Sequence, residues 1–249
     1  MIILRSQREI EKIRRASLLV AEILQRLKEH VQPGVTTWDL NALSEEYARK
    51  RNAKPAFKGY QGYPFALCTS VNEEVVHGMP SKQRHLQEGD IISIDFGVVI
   101  ESYFGDAAMT LPVGRVSEEA ERLCRVTEEA LHEGIRQSVV GNRLSDISHA
   151  IQTHVEARGY SVVREFVGHG IGQQLHESPQ IPNYGPPGKG VKLKAGMVLA
   201  IEPMINLGGP EIEILSDLWT AVTADRKLSA HFEHTVAVTQ NGPDILTRL

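Results

Sequence analysis

The sequence predicts an α+β fold. Two pseudo-symmetric helix-helix-hairpin halves, roughly residues 9–115 and 116–249, would pack their strands into one curved antiparallel sheet with the helices outside. Three observations predict it. Amphipathic helical spacing comes in pairs, two near the start of the 249 residues and two in the middle. Each pair is followed by an apolar strand motif, "EGDIISID" in the first half and "AGMVLAIE" in the second. The chain also resembles itself when shifted by 107 residues. Gly34, Asp39 and Arg51 then fall on Gly141, Asp146 and Arg158. Gly78, Pro80, Lys82, Leu86, Gly89 and Ile94 fall on Gly185, Pro187, Lys189, Leu193, Gly196 and Ile201, and Asp95 overlays Glu202. A site between such halves would draw carboxylates from both.

The elements follow in order. Residues 9–30 form a helix, with Ile13, Ala16, Val20, Ile23 and Leu27 at helical spacing. "QPGVTTWDL" breaks the chain, residues 39–51 form a second helix, and 55–64 read as loop. "EGDIISIDFG" opens a strand. Ser117 is an N-cap with Glu118 and Glu119 in the first turn of a helix that runs to about Ser138. "GNRLSDISHAIQTHVEARG" carries the fourth helix.

The stretch "SIDFGVVIESYFGD" reads as a hairpin turning at Ile100-Glu101, which sets Asp95 opposite Asp106. Side chains paired across strands have Cβ atoms roughly 4.5–5.5 Å apart, where like charges repel. No lysine or arginine occurs between Arg84 and Arg115 to neutralise them. Ile92, Ile94, Phe96 and Val98 make the apolar face, so Asp95 lies on the other face, which leaves open both a solvated carboxylate and one that shares a cation. The turn residues lack the Asn-Gly or Asp-Gly chemistry of a tight hairpin.

Bulk properties exclude several classes. Apolar content of 41% with 23% charged residues is that of a soluble globular protein. A net charge of −4 carries no nucleic-acid signature. "MIILRSQREIEKIRR" turns charged too early for a signal peptide, and no apolar run reaches the roughly 20 residues of a membrane span. Cys68 and Cys124 form no metal-ribbon or CxxC spacing, so a reduced, cytoplasmic protein is expected.

Four more stretches hold titratable residues without an obvious counter-ion: "VVHGMP" with His77, "GHGIGQQLHE" with His169 and His176, "LAIEPM" with Glu202, and "SAHFEHT" with Glu233. Each residue alone has an ordinary alternative as a surface, strand-end or core group. Together with Asp95 and Asp106 they suggest a pair of divalent ions, because carboxylate-rich ligation with one imidazole suits Mn, Fe, Co or Zn. In two-metal hydrolases such a pair carries a bridging hydroxide that acts as nucleophile at neutral pH.

The combination of "GYQGYPFALCTSVNEEVVHGMP", "IDFG…GDAAMT", "GHGIG…LHE", "IEPM" and "WTAVTADRKLSAHFEHT" resembles the type I methionine aminopeptidases (subfamily A of peptidase family M24) over nearly the whole chain. The resemblance implies the pita-bread (creatinase/aminopeptidase) fold and one catalytic domain over residues 1–249. It implies five metal ligands: Asp95, Asp106, His169, Glu202 and Glu233. Asp106 and Glu233 would bridge the ions, Asp95 would chelate one, and His169 and Glu202 would hold the other. His77 would contact the scissile amide nitrogen and His176 the scissile carbonyl. Glu202 would shuttle the proton from the bridging water to the leaving amine. Tyr60, Tyr63, Phe65, Cys68, Leu175 and Trp219 would line a methionine pocket, since a thioether suits polarizable walls. Cys68 would be a wall, not a nucleophile.

The implied function is removal of the initiator methionine from nascent polypeptides when the second residue is small, met at the ribosome by a monomeric enzyme. A monovalent cation near Asn72 and Ser229 is implied as well. The chain departs from the family pattern at four places: Leu175 for a frequent aromatic residue, Gln61 for a frequent histidine, Ser102 for glycine, and His231 beside Glu233. Prolidase, aminopeptidase P and creatinase resemble it on the same fold, though they normally carry a further N-terminal domain. A binding module that has lost its metals is the alternative of a different class, and all five ligand positions are filled here.

Overall fold

The computed structural model describes residues 2–249. Its first half runs α1 (Gln7–Lys28), α2 (Thr37–Lys50), β1 (Lys54–Pro55), β2 (Leu67–Val71), β3 (Glu74–Val76), β4 (Ile91–Ile100) and β5 (Tyr103–Pro112). The second half opens on α3 (Glu118–Arg136) and α4 (Leu144–Glu156), then β6 (Ser161–Val162), β7 (Gly168–Gly170), β8 (Glu177–Ile181) and β9 (Val198–Ile201). It closes with β10 (Met204–Asn206), β11 (Ile212–Ile214), β12 (Ala221–Thr223), β13 (Ser229–His231), β14 (Glu233–Thr239) and β15 (Gly242–Ile245).

Local chemistry sets the helix starts. Ser6 and Glu9 form a reciprocal capping box, so α1 begins two residues before the apolar spacing alone would place it. Thr36 and Asp39 do the same for α2. Ser117 caps α3 as expected, accepting from the Ala120 N–H. The expected stripe of α1, Ile13, Ala16, Val20, Ile23 and Leu27, is buried.

The principal sheet has the order β1-β4-β5-β14-β9-β7-β8, with β2 also on β4 and β15 also on β14. Neighbouring strands pair antiparallel. Smaller sheets β13-β10-β6 and β11-β12-β3 flank it. Helices α1 and α2 share one apolar core with β2, β4 and β5. Helices α3 and α4 share another with β9, β10, β13 and β14. The architecture is the expected α+β one.

The 107-residue offset corresponds to matched turns. The Gly34 N–H donates to the Leu86 carbonyl at 2.7 Å, and the Gly141 N–H to the Leu193 carbonyl at 3.1 Å. Bridges Thr36–His85 and Arg143–Lys192 stand at the same offset. Gly34 and Gly141 have φ of 93° and 99°, a region where a side chain is strained, so glycine recurs there.

The hairpin differs from expectation. Ile100 pairs with Tyr103, so the turn is Glu101-Ser102, and Asp95 lies opposite Ala108 while Asp106 lies opposite Gly97. Both turn residues have positive φ, 49° and 67°, as a two-residue hairpin loop of matching twist requires. The partner has slipped by two residues, which preserves the face. Asp95 and Asp106 are therefore diagonal neighbours on one face.

Helix α1 presses on β5 where Gly105 lies: a Cβ there would sit 2.5 Å from the Ser17 nitrogen. Gly105→Ala should lower stability by about 1–3 kcal/mol through overpacking. Urea unfolding reads this as a lower midpoint, and an unchanged midpoint would contradict the packing.

Candidate active site and metal centre

Strand periodicity gathers the site. Asp95 on β4, Ala108 on β5 and Glu233 on β14 form one cross-strand row. The adjacent row runs from Gly97 through Asp106 to Thr235, Ala200 and His169, on β4, β5, β14, β9 and β7. The step from Asp106 to Thr235 is fixed by the Thr235 hydroxyl, which donates to the Asp106 carbonyl at 2.8 Å and accepts from its N–H at 3.2 Å. Residues two apart share a face, so both rows point their side chains to one side of the sheet. Glu202 follows Ala200 by two and joins them.

Small residues leave room between the acids. Ala108 separates Asp95 from Glu233. Gly97 faces Asp106, whose Oδ1 would lie 3.1 Å from a Cβ at that position. The opposite face of β4, with Ile92, Ile94, Phe96 and Val98, packs into the α1/α2 core.

Asp106, His169 and Glu233 each offer a ligand atom, all within 4.8 Å of one another. His169 Nε2 lies 3.4 Å from Glu202 Oε1, and His231 Nε2 lies 3.7 Å from Glu202 Oε2. Burial, then repulsion from Asp95 and Glu202, pushes Asp106 well above the ordinary carboxylate range. Burial and the other acids do the same to Glu202 and Glu233. Burial pushes Asp95 up to about 7. It also draws His169 and His231 down to about 3 and His77 to about 4, so all three imidazoles are neutral.

The residues fit a divalent cation. Asp95 Oδ1, Asp106 Oδ1 and Glu233 Oε1 are buried without a hydrogen-bond partner, which costs free energy unless a cation faces them. His169 Nδ1 lies 3.0 Å from the Gly170 carbonyl, an acceptor only a protonated nitrogen can use. That leaves the Nε2 lone pair toward the acids, as in metal-binding histidines generally. By contrast, the Asn72 carbonyl accepts the Ser229 N–H at 2.9 Å, and the side chains of both residues have protein partners.

The acids form the floor of a cavity of about 180 Å³. Tyr60, Tyr63, Cys68, His77, Leu175, His176 and Trp219 line it together with Asp95, Asp106, His169, Glu202 and Glu233. His176 stands at the mouth, Nδ1 2.8 Å from the Tyr60 hydroxyl and its ring 4.2 Å from that of His169. His77, at φ 61°, packs edge-on to Phe166 at 5.1 Å. Tyr63 is pinned by its hydroxyl to the Leu67 and Gly78 carbonyls. Cys68 lies beside Asp95 on β2, and burial with that acid pushes its thiol well up, so it is a neutral wall.

Phe65 does not border the cavity, contrary to the sequence expectation. It stands behind Tyr63, edge-on at 5.9 Å, because it packs at 6.0 Å against Trp38 of α2. Phe57, Val76, Phe166 and Val167 do border it, beyond the residues expected from sequence. They come from loops and a short strand, where no periodicity marks an inward face. Gln61 lines the mouth. His231 is 1% exposed, behind Glu202, and its Nε2 has no hydrogen-bond partner.

Metallopeptidase family M24 matches residues 11–240. A methionine aminopeptidase from Clostridium acetobutylicum is 54% identical over 247 residues, with 99% of each chain covered. Methionine aminopeptidase 1 from Bacillus subtilis is 53% identical, with all of both chains covered. The crystal structure of a methionine aminopeptidase from Thermotoga maritima superposes with a TM-score of 0.99 at 50% identity, covering all of both chains.

The raised acid has a measurable consequence. Between its ordinary value of 3.8 and about 7, folded Asp95 holds its proton more tightly than the unfolded chain does. Its contribution therefore lowers stability as pH rises through that window. In chelator-treated protein, the melting temperature of Asp95→Asn should climb relative to the parent from pH 4 to 7, and added Mn²⁺ should remove that advantage. Parallel melting profiles without metal would contradict the assignment.

Proposed function

The chain belongs to metallopeptidase family M24, as one of its type I methionine aminopeptidases with the pita-bread fold, and on that premise we propose how its residues divide the work. The reaction is metal-dependent hydrolytic removal of an N-terminal methionine. Asp95, Asp106, His169, Glu202 and Glu233 hold two divalent ions, drawn from Co, Mn, Fe or Zn. The single observation that carries this is the set of buried, partnerless carboxylate oxygens on one sheet face. Ions held there supply Lewis acidity toward the scissile carbonyl and acidify water at neutral pH.

The remaining roles belong to side chains. Glu202, whose proton affinity burial raises, takes a proton and returns it to the leaving amine. His176 Nδ1 lies 2.8 Å from the Tyr60 hydroxyl; in the tautomer that accepts this O–H, Nε2–H is free to donate to the carbonyl oxygen as charge develops there. His77, neutral and packed on Phe166, meets the scissile nitrogen. Tyr60, Tyr63, Cys68, Leu175 and Trp219 wall the methionine side chain, and Phe65 backs Tyr63. By family membership, methionine is removed when the residue after it is small. The substrates are new polypeptides at the ribosome, processed in the cytoplasm by a monomer. Residues 1–249 act as one catalytic domain built from two halves, roughly 9–115 and 116–249. No helix among the described residues is long and apolar enough to cross a membrane.

The test is methionine release from Met-Ala-Ser by chelated protein after return of Mn²⁺, Co²⁺, Fe²⁺ or Zn²⁺, with Leu-Ala-Ser alongside. Metal should restore release, selectively for methionine, and Asp106→Asn should abolish it. Folded protein that releases nothing with any metal, or an Asp106→Asn variant at full activity, would overturn the assignment.

A further inference from the structure

We propose that Arg5, acting through Glu177, is a positioning residue that sets the orientation of His176. This rests on the reading of His176 as a substrate-contacting group. Arg5 precedes the first helix, far in sequence from every residue of the cavity. Yet it is 5% exposed, and no other lysine or arginine among the described residues is buried to that degree.

The contacts of Arg5 converge on one loop. Its Nη2 donates to both Glu177 oxygens at 2.5 Å, and Nη1 lies 3.7 Å from Glu9. Glu177 Oε1 also accepts the backbone N–H groups of Gln173 at 2.8 Å and Gln174 at 3.0 Å. One carboxylate therefore closes residues 173–177 into a ring. Leu175 and His176 sit inside that ring, one as a buried cavity wall and the other at the mouth. The loop lies directly on the guanidinium: a Cβ on Gly172 would collide with Arg5 Nη2. Arg5 is itself anchored, its N–H donating to the Gly196 carbonyl at 2.7 Å just before β9.

A buried ion pair is a costly way to fasten a terminus, because both charges lose water. With Arg5 Nη2 on both Glu177 oxygens and two loop N–H groups on Oε1, the carboxylate is held in one place and direction, which a single hydrogen bond or apolar contact does not achieve. His176 is the residue immediately before Glu177. A rotation of the Glu177 peptide therefore moves the imidazole relative to Tyr60 and His169. Misplacing a catalytic group by about 1 Å can cost on the order of 100-fold in rate.

The test is a double-mutant cycle on the metal-loaded full chain with Met-Ala-Ser, measuring kcat, KM and melting temperature. Arg5→Met should lower kcat/KM roughly 10- to 100-fold, mostly in kcat, and Arg5→Lys should recover part of that loss. Arg15→Met, which breaks an exposed pair with Glu101 at the hairpin turn, should leave kcat/KM unchanged. In a His176→Ala background, Arg5→Met should cost less than about 2-fold, because its effect passes through the missing imidazole. An equal loss in both backgrounds would overturn the inference and leave His176 standing. So would unchanged kinetics for Arg5→Met. Full activity of His176→Ala alone would overturn the reading of His176, and this inference with it. If Arg5→Met does not fold, Glu177→Gln takes its place in the same cycle with the same criteria.

Discussion

The structure depends on one constraint: carboxylates brought together out of water on a single sheet face cannot all remain ionised unless cations share them. Asp95, Asp106 and Glu233 come from β4, β5 and the start of β14, and Glu202 from the residue just after β9. Among the described residues their ion-pair partners are histidines and no lysine or arginine, and three of their oxygens have no hydrogen-bond partner. Such an arrangement lowers the stability of the bare protein and is sustained by large apolar cores on either side. The fold concentrates charge where bound ions can use it.

The rest of the site follows from that placement. Gly97, Ala108 and Ala200 lie between the ligand positions, so the acids and His169 converge without crowding. The Gly170 carbonyl fixes the tautomer of His169. Two histidines outside the acid cluster approach from loops, His77 after β3 and His176 before β8, and aromatic residues hold both. Strands β4, β5, β14 and β7 carry Asp95, Asp106, Glu233 and His169, and loops carry His77 and His176. The bond between Arg5 and Glu177 ties the loop that carries His176 to the segment before α1.

Much of this was legible in the sequence, for reasons that can be named. Helical spacing and capping residues located all four helices to within a few residues. The 107-residue offset was visible because turn glycines such as Gly34 and Gly141 cannot be freely replaced at positive φ. The hairpin register was misread because Ser102 occupies a left-handed position without the glycine that would announce it. The face assignment survived, since the slip was by two residues and side chains alternate with period two. Phe65 was misplaced, and Phe57 and Phe166 were overlooked, because loop residues carry no periodic signal for the direction they face. Arg5 was invisible as a buried residue, because its partner lies 172 residues away and nothing local distinguishes it from a surface arginine.

The most direct test of the central claim is anomalous scattering from crystals of the chelated protein soaked in Mn²⁺. The account predicts two adjacent anomalous peaks, in contact with Asp106 and Glu233 and within reach of Asp95, His169 and Glu202. Soaked crystals with no peak at this cluster, or with manganese bound only elsewhere, would contradict it.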